Sequence, residues 1–125
     1  MATKNIKQLE LEWYVHLDGF LRAPSVDGYN NAMTMVAITE RAISAQGITE
    51  FATYFRSVKR ALCDIADRCT DGATVTVNKL ERATLDAGAP FIEAAIKRCR
   101  YDTFIVARAE AYAERLRQGV PLVSA

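Results

Sequence analysis

The chain has 125 residues, of which 50% are hydrophobic and 25% are charged. This composition is typical of one globular domain and excludes the disordered class. The 16 basic and 15 acidic side chains give a net charge of +1. The strongly basic footprint of a domain that binds nucleic acid or an anionic membrane is therefore absent.

Targeting signals and cysteines indicate the compartment. No apolar segment follows the basic residue near the start, so no signal peptide is predicted. The apolar runs are too short to span a bilayer. The cysteine count is 3, an odd number that does not suggest a disulfide framework. We therefore expect a cytoplasmic protein with free thiols and no membrane partner.

The first predicted helix covers about residues 4–22 and is ended by the Ala23-Pro24 pair. Its apolar residues recur at spacings of three and four, which places them on one face. These residues are Ile6, Leu9, Trp13, Leu17 and Phe20.

A second helix is predicted over about residues 29–45. Ser25 and Asp27 precede it and are candidate N-caps. Gly47 followed by Ile48 predicts a Schellman ending, with glycine in the left-handed conformation and the isoleucine as the apolar contact.

The third predicted helix has the clearest amphipathic pattern and covers about residues 50–69, with Thr49 as its expected N-cap. Its apolar stripe consists of Phe51, Tyr54, Phe55, Val58, Leu62, Ile65, Ala66 and Cys69. The segment 74–77 alternates like a strand but has no partner strand, so we predict an extended linker that ends in a cap at Thr76.

A short helix is then predicted over about residues 77–87, closed by Gly88. The last helix is predicted from Pro90 to Gln118, about 42 Å long at 1.5 Å per residue. A kink near residues 101–103 is the competing explanation for such a length. Because apolar residues cover a wide part of the circumference of this helix, one side of it is expected to face a second chain. The fold is thus a single all-α domain over residues 1–125, a bundle of four to five helices with a long C-terminal helix and an expected homo-oligomer.

Catalytic and metal-binding motifs are lacking. The 6 glycines are too far apart for a phosphate-binding loop. The single His16 shares a helix face with Glu12, but no second histidine completes a common zinc set. Of the three cysteines, only Cys63 lies off the apolar stripes, and a reactive thiol there beside Lys59 or Arg60 is the one catalytic alternative. No catalytic residue, metal or cofactor is predicted.

Nucleic-acid binding is kept as an alternative. A short helix, a turn at residues 88–89 and a further helix over residues 77–100 loosely resemble a helix-turn-helix. Two basic clusters are the candidate contacts: Arg56, Lys59, Arg60, Lys97, Arg98 and Arg100.

The favoured hypothesis is a small interaction protein, a regulator, inhibitor or adaptor that acts through protein–protein contacts as a homodimer and with an unknown protein partner. It follows from the lack of catalytic motifs and from the length and wide apolar surface of the last predicted helix. A third alternative is an enzyme or small-ligand binder that has no recognisable motif. The expected interaction surface consists of Phe104, Ile105, Arg108, Tyr112 and Arg115.

Overall fold

The computed structural model describes residues 6–69 and 74–118, and within these ranges it contains five α-helices and no strand. They are α1 (Ile6–Arg22), α2 (Val26–Ala45), α3 (Ala52–Arg68), α4 (Lys79–Arg98) and α5 (Tyr101–Gln118). The predicted all-α bundle is therefore confirmed. In the described part of the chain, no helix is long and apolar enough to cross a membrane.

Helix α2 lies at the centre of the bundle and packs against each of the other four helices. α3 packs mainly on α4, α1 packs on α2 and α4, and α5 packs chiefly on α2. One hydrophobic core joins them. Its largest fully buried side chains include Phe20, Phe55, Phe104, Leu62, Ile65, Ile92 and Ile96.

Most of the apolar residues predicted for the first and third helices are buried, except Tyr54, which is exposed, and Ile6, Phe51 and Ala66, which are half-buried. In α1 the buried residues are Leu9, Trp13, Leu17 and Phe20, and in α3 they are Phe55, Val58, Leu62 and Ile65. Spacing alone located them, because residues three or four apart in a helix share one side.

α2 begins at Val26, before the predicted residue 29, so Asp27 lies in its first turn and Ser25 is the N-cap. The Ser25 hydroxyl accepts a hydrogen bond from the Gly28 N–H at 2.9 Å. At the other end Gly47 has a φ of 73°, and the Ile48 N–H donates to the Ile43 carbonyl at 2.9 Å. This is the Schellman arrangement that the sequence predicted.

Two predicted caps are wrong. α3 begins at Ala52 after Phe51, and no side chain caps it, so Thr49 is not its N-cap. α4 is capped by Asn78 rather than Thr76. The Asn78 side chain accepts from the Glu81 N–H at 2.8 Å, and the Glu81 carboxylate accepts from the Asn78 N–H at 3.0 Å. The segment before α4, residues 74–78, is neither helix nor strand, and Asn78 itself is extended.

The predicted turn at residues 88–89 is wrong, and with it the helix-turn-helix over residues 77–100. α4 runs unbroken through Gly88, Ala89 and Pro90. Packing overrides the local signals here. Gly88 lies against Val58 of α3, and the Trp13 indole N–H of α1 donates to the Ala89 carbonyl at 3.3 Å.

The last helix does not begin at Pro90. The chain leaves the helical conformation at Cys99, whose ψ is 141°, and α5 starts at Tyr101 and is 18 residues long. The predicted long last helix is therefore wrong, because α5 is shorter than α2 and α4, which have 20 residues each. The break falls just before the predicted kink at residues 101–103. The Gln46 side chain stabilises it by donating to the Arg98 carbonyl at 3.0 Å and accepting from the Arg100 N–H at 2.8 Å. The sequence also predicts a turn at residues 70–72 and an end of the last helix at residues 119–121, and both segments lie outside the described residues.

Candidate functional site

One side of α5 faces away from the bundle and is almost entirely apolar. At about 100° per residue its members span about 120° of the helix circumference. Val106 is 57% exposed, Tyr112 47% and Leu116 83%; Ala109 and Ala113 are exposed, and Ile105 is half-buried. We call this set the outer face of α5: Ile105, Val106, Ala109, Tyr112, Ala113 and Leu116.

Most charged side chains of α5 lie at the two edges of the outer face, although Asp102 of the first turn falls within it by helical spacing. Arg108 and Arg115 lie on one edge, and Glu110, Glu114 and Arg117 lie on the other. On this second edge, Arg41 of α2 forms ion pairs with Glu110 at 3.6 Å and Glu114 at 2.6 Å. The face is therefore an apolar stripe with one basic border and one border of mixed charge.

A cleft separates α5 from α1, because both helices rest on α2. Two cavities of about 380 and 210 Å³ lie along it, and Glu12, His16 and Arg108 line both. We call these the outer and inner cavities of the α1–α5 cleft. The Arg108 guanidinium lies 3.6 Å from the Glu12 carboxylate and 5.3 Å from the centre of the Phe104 ring.

The outer cavity is bordered by apolar side chains of α1. Leu11 and Val15 line it together with Tyr101 of α5, and they are 62% and 56% exposed. Exposed apolar side chains therefore lie on both sides of the cleft, on α1 as well as on α5.

The inner cavity is polar. Arg108, Tyr112 and Arg115 of α5 line it opposite Asn30, Asn31 and Thr34 of α2. An Arg115 Nη1 donates to the Thr34 hydroxyl at 3.2 Å. The Oδ1 of Asn30 is buried and has no hydrogen-bond partner.

A larger groove, of about 880 Å³, lies on the other side of α5 between α2 and the start of α3. Its lining is mostly small or apolar, and the Arg41–Glu114 ion pair borders it. Apolar members include Ala37, Ile38, Ile43, Ile48, Ala52, Phe55 and Ala111. No cluster of catalytic side chains lies in it.

The structure divides the predicted interaction surface. Arg108, Tyr112 and Arg115 come together in the inner cavity, and Ile105 borders the outer face. Phe104 is wrong as a surface residue, because it is fully buried in the core. Sequence analysis missed Asn30 and Thr34, since single polar residues on a helix carry no signal of what they face.

The predicted basic clusters do not form a continuous cationic surface. Lys59 pairs with Glu40 at 2.7 Å, Arg98 with Glu50 at 3.0 Å and Arg100 with Asp102 at 3.6 Å. Lys97 lies 3.8 Å from both Glu10 and Glu93. Arg56 and Arg60 are exposed on α3.

The cysteines occupy the environments that the sequence indicated. Cys63 is exposed, whereas Cys69 and Cys99 are buried, and burial raises the pKa of the Cys99 thiol to about 11. Cys99 therefore stays protonated at neutral pH. Within residues 6–69 and 74–118, no group of three or more histidine, cysteine or acidic side chains is arranged to hold a metal ion.

No protein family, curated protein or solved structure matches the chain. The outer face of α5 and the α1–α5 cleft are therefore the features of the molecule that bear on its function.

Proposed function

We propose that this protein is a small interaction protein, a regulator, inhibitor or adaptor that binds a protein partner through the outer face of α5. The supporting observation is the exposure of Val106, Tyr112 and Leu116 on one largely apolar helix face. Burying a side chain such as leucine is worth about 1.5–3 kcal/mol, so covering this face stabilises a complex. Contiguous apolar patches of this kind mark interaction sites in globular proteins.

A second copy of the chain is the first partner that we propose. Two parallel helices related by a two-fold axis place the left edge of one beside the right edge of the other. The edge of the outer face with Arg108 and Arg115 would then meet the edge with Glu110 and Glu114. The apolar stripe and the two glutamates are thus complementary to a second copy, whereas Arg117 on the edge with the glutamates has the same charge as the edge that it would meet.

The solution mass of the protein tests self-association. The expected mass by light scattering is twice that of one chain. Leu116→Glu places a charge in the middle of the outer face and should give the mass of one chain, because an unpaired charge is costly in an apolar interface. Leu80→Glu is the matched control, since Leu80 is 76% exposed on α4, away from this face.

A wild-type mass of one chain, across the micromolar range, would refute the homodimer. Partner capture then tests the wider proposal. Wild type and Leu80→Glu should retain the same protein from a host lysate, and Leu116→Glu should lose it. Equal capture by all three forms would refute the outer face as the binding surface.

The nucleic-acid alternative has less structural support. The continuous α4 helix removes its helix-turn-helix, and four of its six candidate side chains lie in ion pairs. Retention on duplex DNA that falls steeply with salt would restore it, because released counterions give that dependence.

A further inference from the structure

The outer face of α5 is small for an interface between two proteins. It covers residues 105–116, which is about 18 Å of helix at 1.5 Å per residue and one helix, about 10 Å, in width. A strip of this size is well below the roughly 800 Å² that each partner buries in a stable complex. A stable dimer therefore needs surface on both sides of α5 as well.

On one side of α5, helix α1 carries an exposed apolar ridge. Leu11 is 62% exposed, Tyr14 61% and Val15 56%. At about 100° per residue these three side chains lie within about 100° of the helix circumference. The one charged residue between them in the sequence, Glu12, lines the cleft instead. We call Leu11, Tyr14 and Val15 the α1 ridge.

On the other side of α5 lies the larger groove, of about 880 Å³, between α2 and the start of α3. Ala37, Ile48 and Ala52 are among the small or apolar residues that line it, and the charges of Arg41 and Glu114 at its border are paired with each other at 2.6 Å. A volume of this size has room for roughly thirty water molecules at about 30 Å³ each. Replacing water with apolar side chains in such a groove is favourable.

We propose that the α1 ridge of each chain enters the larger groove of a second copy, so that two such contacts flank the central pair of α5 helices. This inference rests on the proposed function, because it completes the interface of the homodimer. A two-fold axis parallel to α5 places the left side of one α5 beside the right side of the other. Since the ridge and the groove lie on opposite sides of α5, each ridge then faces the partner's groove.

The ridge and the groove also lie at overlapping heights along α5, as the two-fold axis requires. Next to the ridge, the outer cavity is lined by Tyr101 and Arg108. The groove extends from the end of α2, where Gln46 bonds to Arg100, to Glu114. A rotation about an axis parallel to α5 leaves these heights unchanged, so the ridge meets the groove and not a neighbouring part of the surface.

The dissociation constant of the dimer, measured by analytical ultracentrifugation of the full chain, tests this contact. Leu11→Glu puts a charge on the ridge, and Ala52→Arg puts one in the groove. Each should raise the dissociation constant at least about tenfold, because a charge is costly in an apolar contact. Both positions are exposed, so neither substitution disturbs the core.

Each variant has a matched control. Leu80→Glu introduces the same charge at an exposed leucine of α4, and Thr53→Arg introduces the same charge beside Ala52 at an exposed position that does not line the groove. Both controls should keep the wild-type dissociation constant.

Mixing the two test variants gives a signature of contact between copies. Leu11 and Ala52 lie on opposite sides of α5, so charges placed there do not pair within one chain. In a dimer of one Leu11→Glu chain and one Ala52→Arg chain, one ridge–groove contact is wild type and the other brings glutamate to arginine. The mixture should therefore form dimers at concentrations at which each variant alone is monomeric.

The outcomes separate this contact from the proposed homodimer. A wild-type mass of one chain would refute the homodimer and this contact with it. A wild-type dimer that Leu116→Glu weakens, but that Leu11→Glu and Ala52→Arg leave unchanged, would overturn the ridge-in-groove contact alone. Weakening by both variants without recovery in the mixture would also contradict it, because the ridge and the groove would then act separately.

Discussion

Gly88 occupies the closest approach between α3 and α4. A Cβ atom at this position would lie 2.3 Å from Val58 Cγ2, and Val58 is 1% exposed in the core. Val58 therefore has little room to move. The sequence suggested that this glycine closes a helix, whereas it lets two helices pack closely, and only the position of Val58 distinguishes these roles.

Gly88→Ala should lower the free energy of unfolding. Overpacking costs about 1–3 kcal/mol, and the better helix propensity of alanine returns about 0.5–1 kcal/mol, so the net effect is destabilising. Gly19→Ala is the matched control, because nothing lies within 4 Å of a Cβ there. It should stabilise the protein by about 0.5–1 kcal/mol. Urea denaturation measures both, and a Gly88→Ala protein as stable as Gly19→Ala would contradict the close packing.

Asn30 shows what a residue in isolation cannot reveal. The pattern identifies it as one polar side chain on α2, and the same pattern fits a solvent-facing position. The burial of its Oδ1 is a consequence of how the helices pack and is not indicated by the sequence. Arg108, Tyr112 and Arg115 were predictable as a group because they lie on the same helix, but the cavity that they line was not.

Among the helix ends, those stabilised by hydrogen bonds between neighbouring residues were predictable. Those that depend on contacts with residues far away in the sequence were not. Ser25, Gly47 and Ile48 act within their own turn, and their predictions are confirmed. α4 crosses Gly88 and Pro90, two signals that normally end helices, because neighbouring helices hold it on both sides. Hydrogen bonds among Arg68, Asn78 and Glu81 also hold the N-terminus of α4 in place.

Glu81 is the acidic residue of this hydrogen-bonded group. Its carboxylate accepts from both Arg68 guanidinium nitrogens and from the Asn78 N–H, and Glu81 is only 5% exposed. The hydrogen bond from Arg68 lowers the pKa of Glu81 below its ordinary 4.5. Since the folded-state pKa lies below that of the unfolded chain, the ionised carboxylate stabilises the fold above the unfolded pKa. That contribution is lost as the pH falls through the folded pKa.

Glu81→Gln should therefore lower the free energy of unfolding by about 1–3 kcal/mol at pH 7, the range for charged hydrogen bonds. The gap from wild type should narrow as the pH falls below about 4, because wild type loses its own carboxylate charge. Glu93→Gln is the control, since Glu93 is exposed and lies 3.8 Å from Lys97. It should cost at most about 0.5 kcal/mol. A gap that stays constant between pH 7 and pH 3 would contradict this role of the charge.

For the whole molecule, the helical class and the core faces of α1 and α3 followed from residue spacing, but the relative placement of the last two helices did not. The break at Cys99 carries no glycine or proline. It depends on Gln46, which is 54 residues away from Arg100 in the sequence. The length of the apolar pattern suggested a kink at residues 101–103, but the position of the break depends on a side chain at the C-terminal end of α2, which no local pattern shows.

Gln46→Ala should loosen the junction of α4 and α5. The Arg98 carbonyl and the Arg100 N–H both lose their partner, which should cost about 1–2 kcal/mol in the free energy of unfolding. Because both groups lie near water, the loss should fall below that of a buried pair. Amide hydrogen exchange should show faster exchange at Arg100 and little change in α3.

Gln46→Glu separates the two bonds of this side chain. A carboxylate keeps the acceptor for the Arg100 N–H but loses the donor to the Arg98 carbonyl. The Arg100 amide should therefore stay protected in Gln46→Glu and become unprotected in Gln46→Ala. If both variants exchange at the wild-type rate, then Gln46 does not stabilise the break between α4 and α5. The orientation of α5 would then depend on its packing against the other helices, chiefly α2. That orientation determines which residues form the outer face and the two cavities of the cleft.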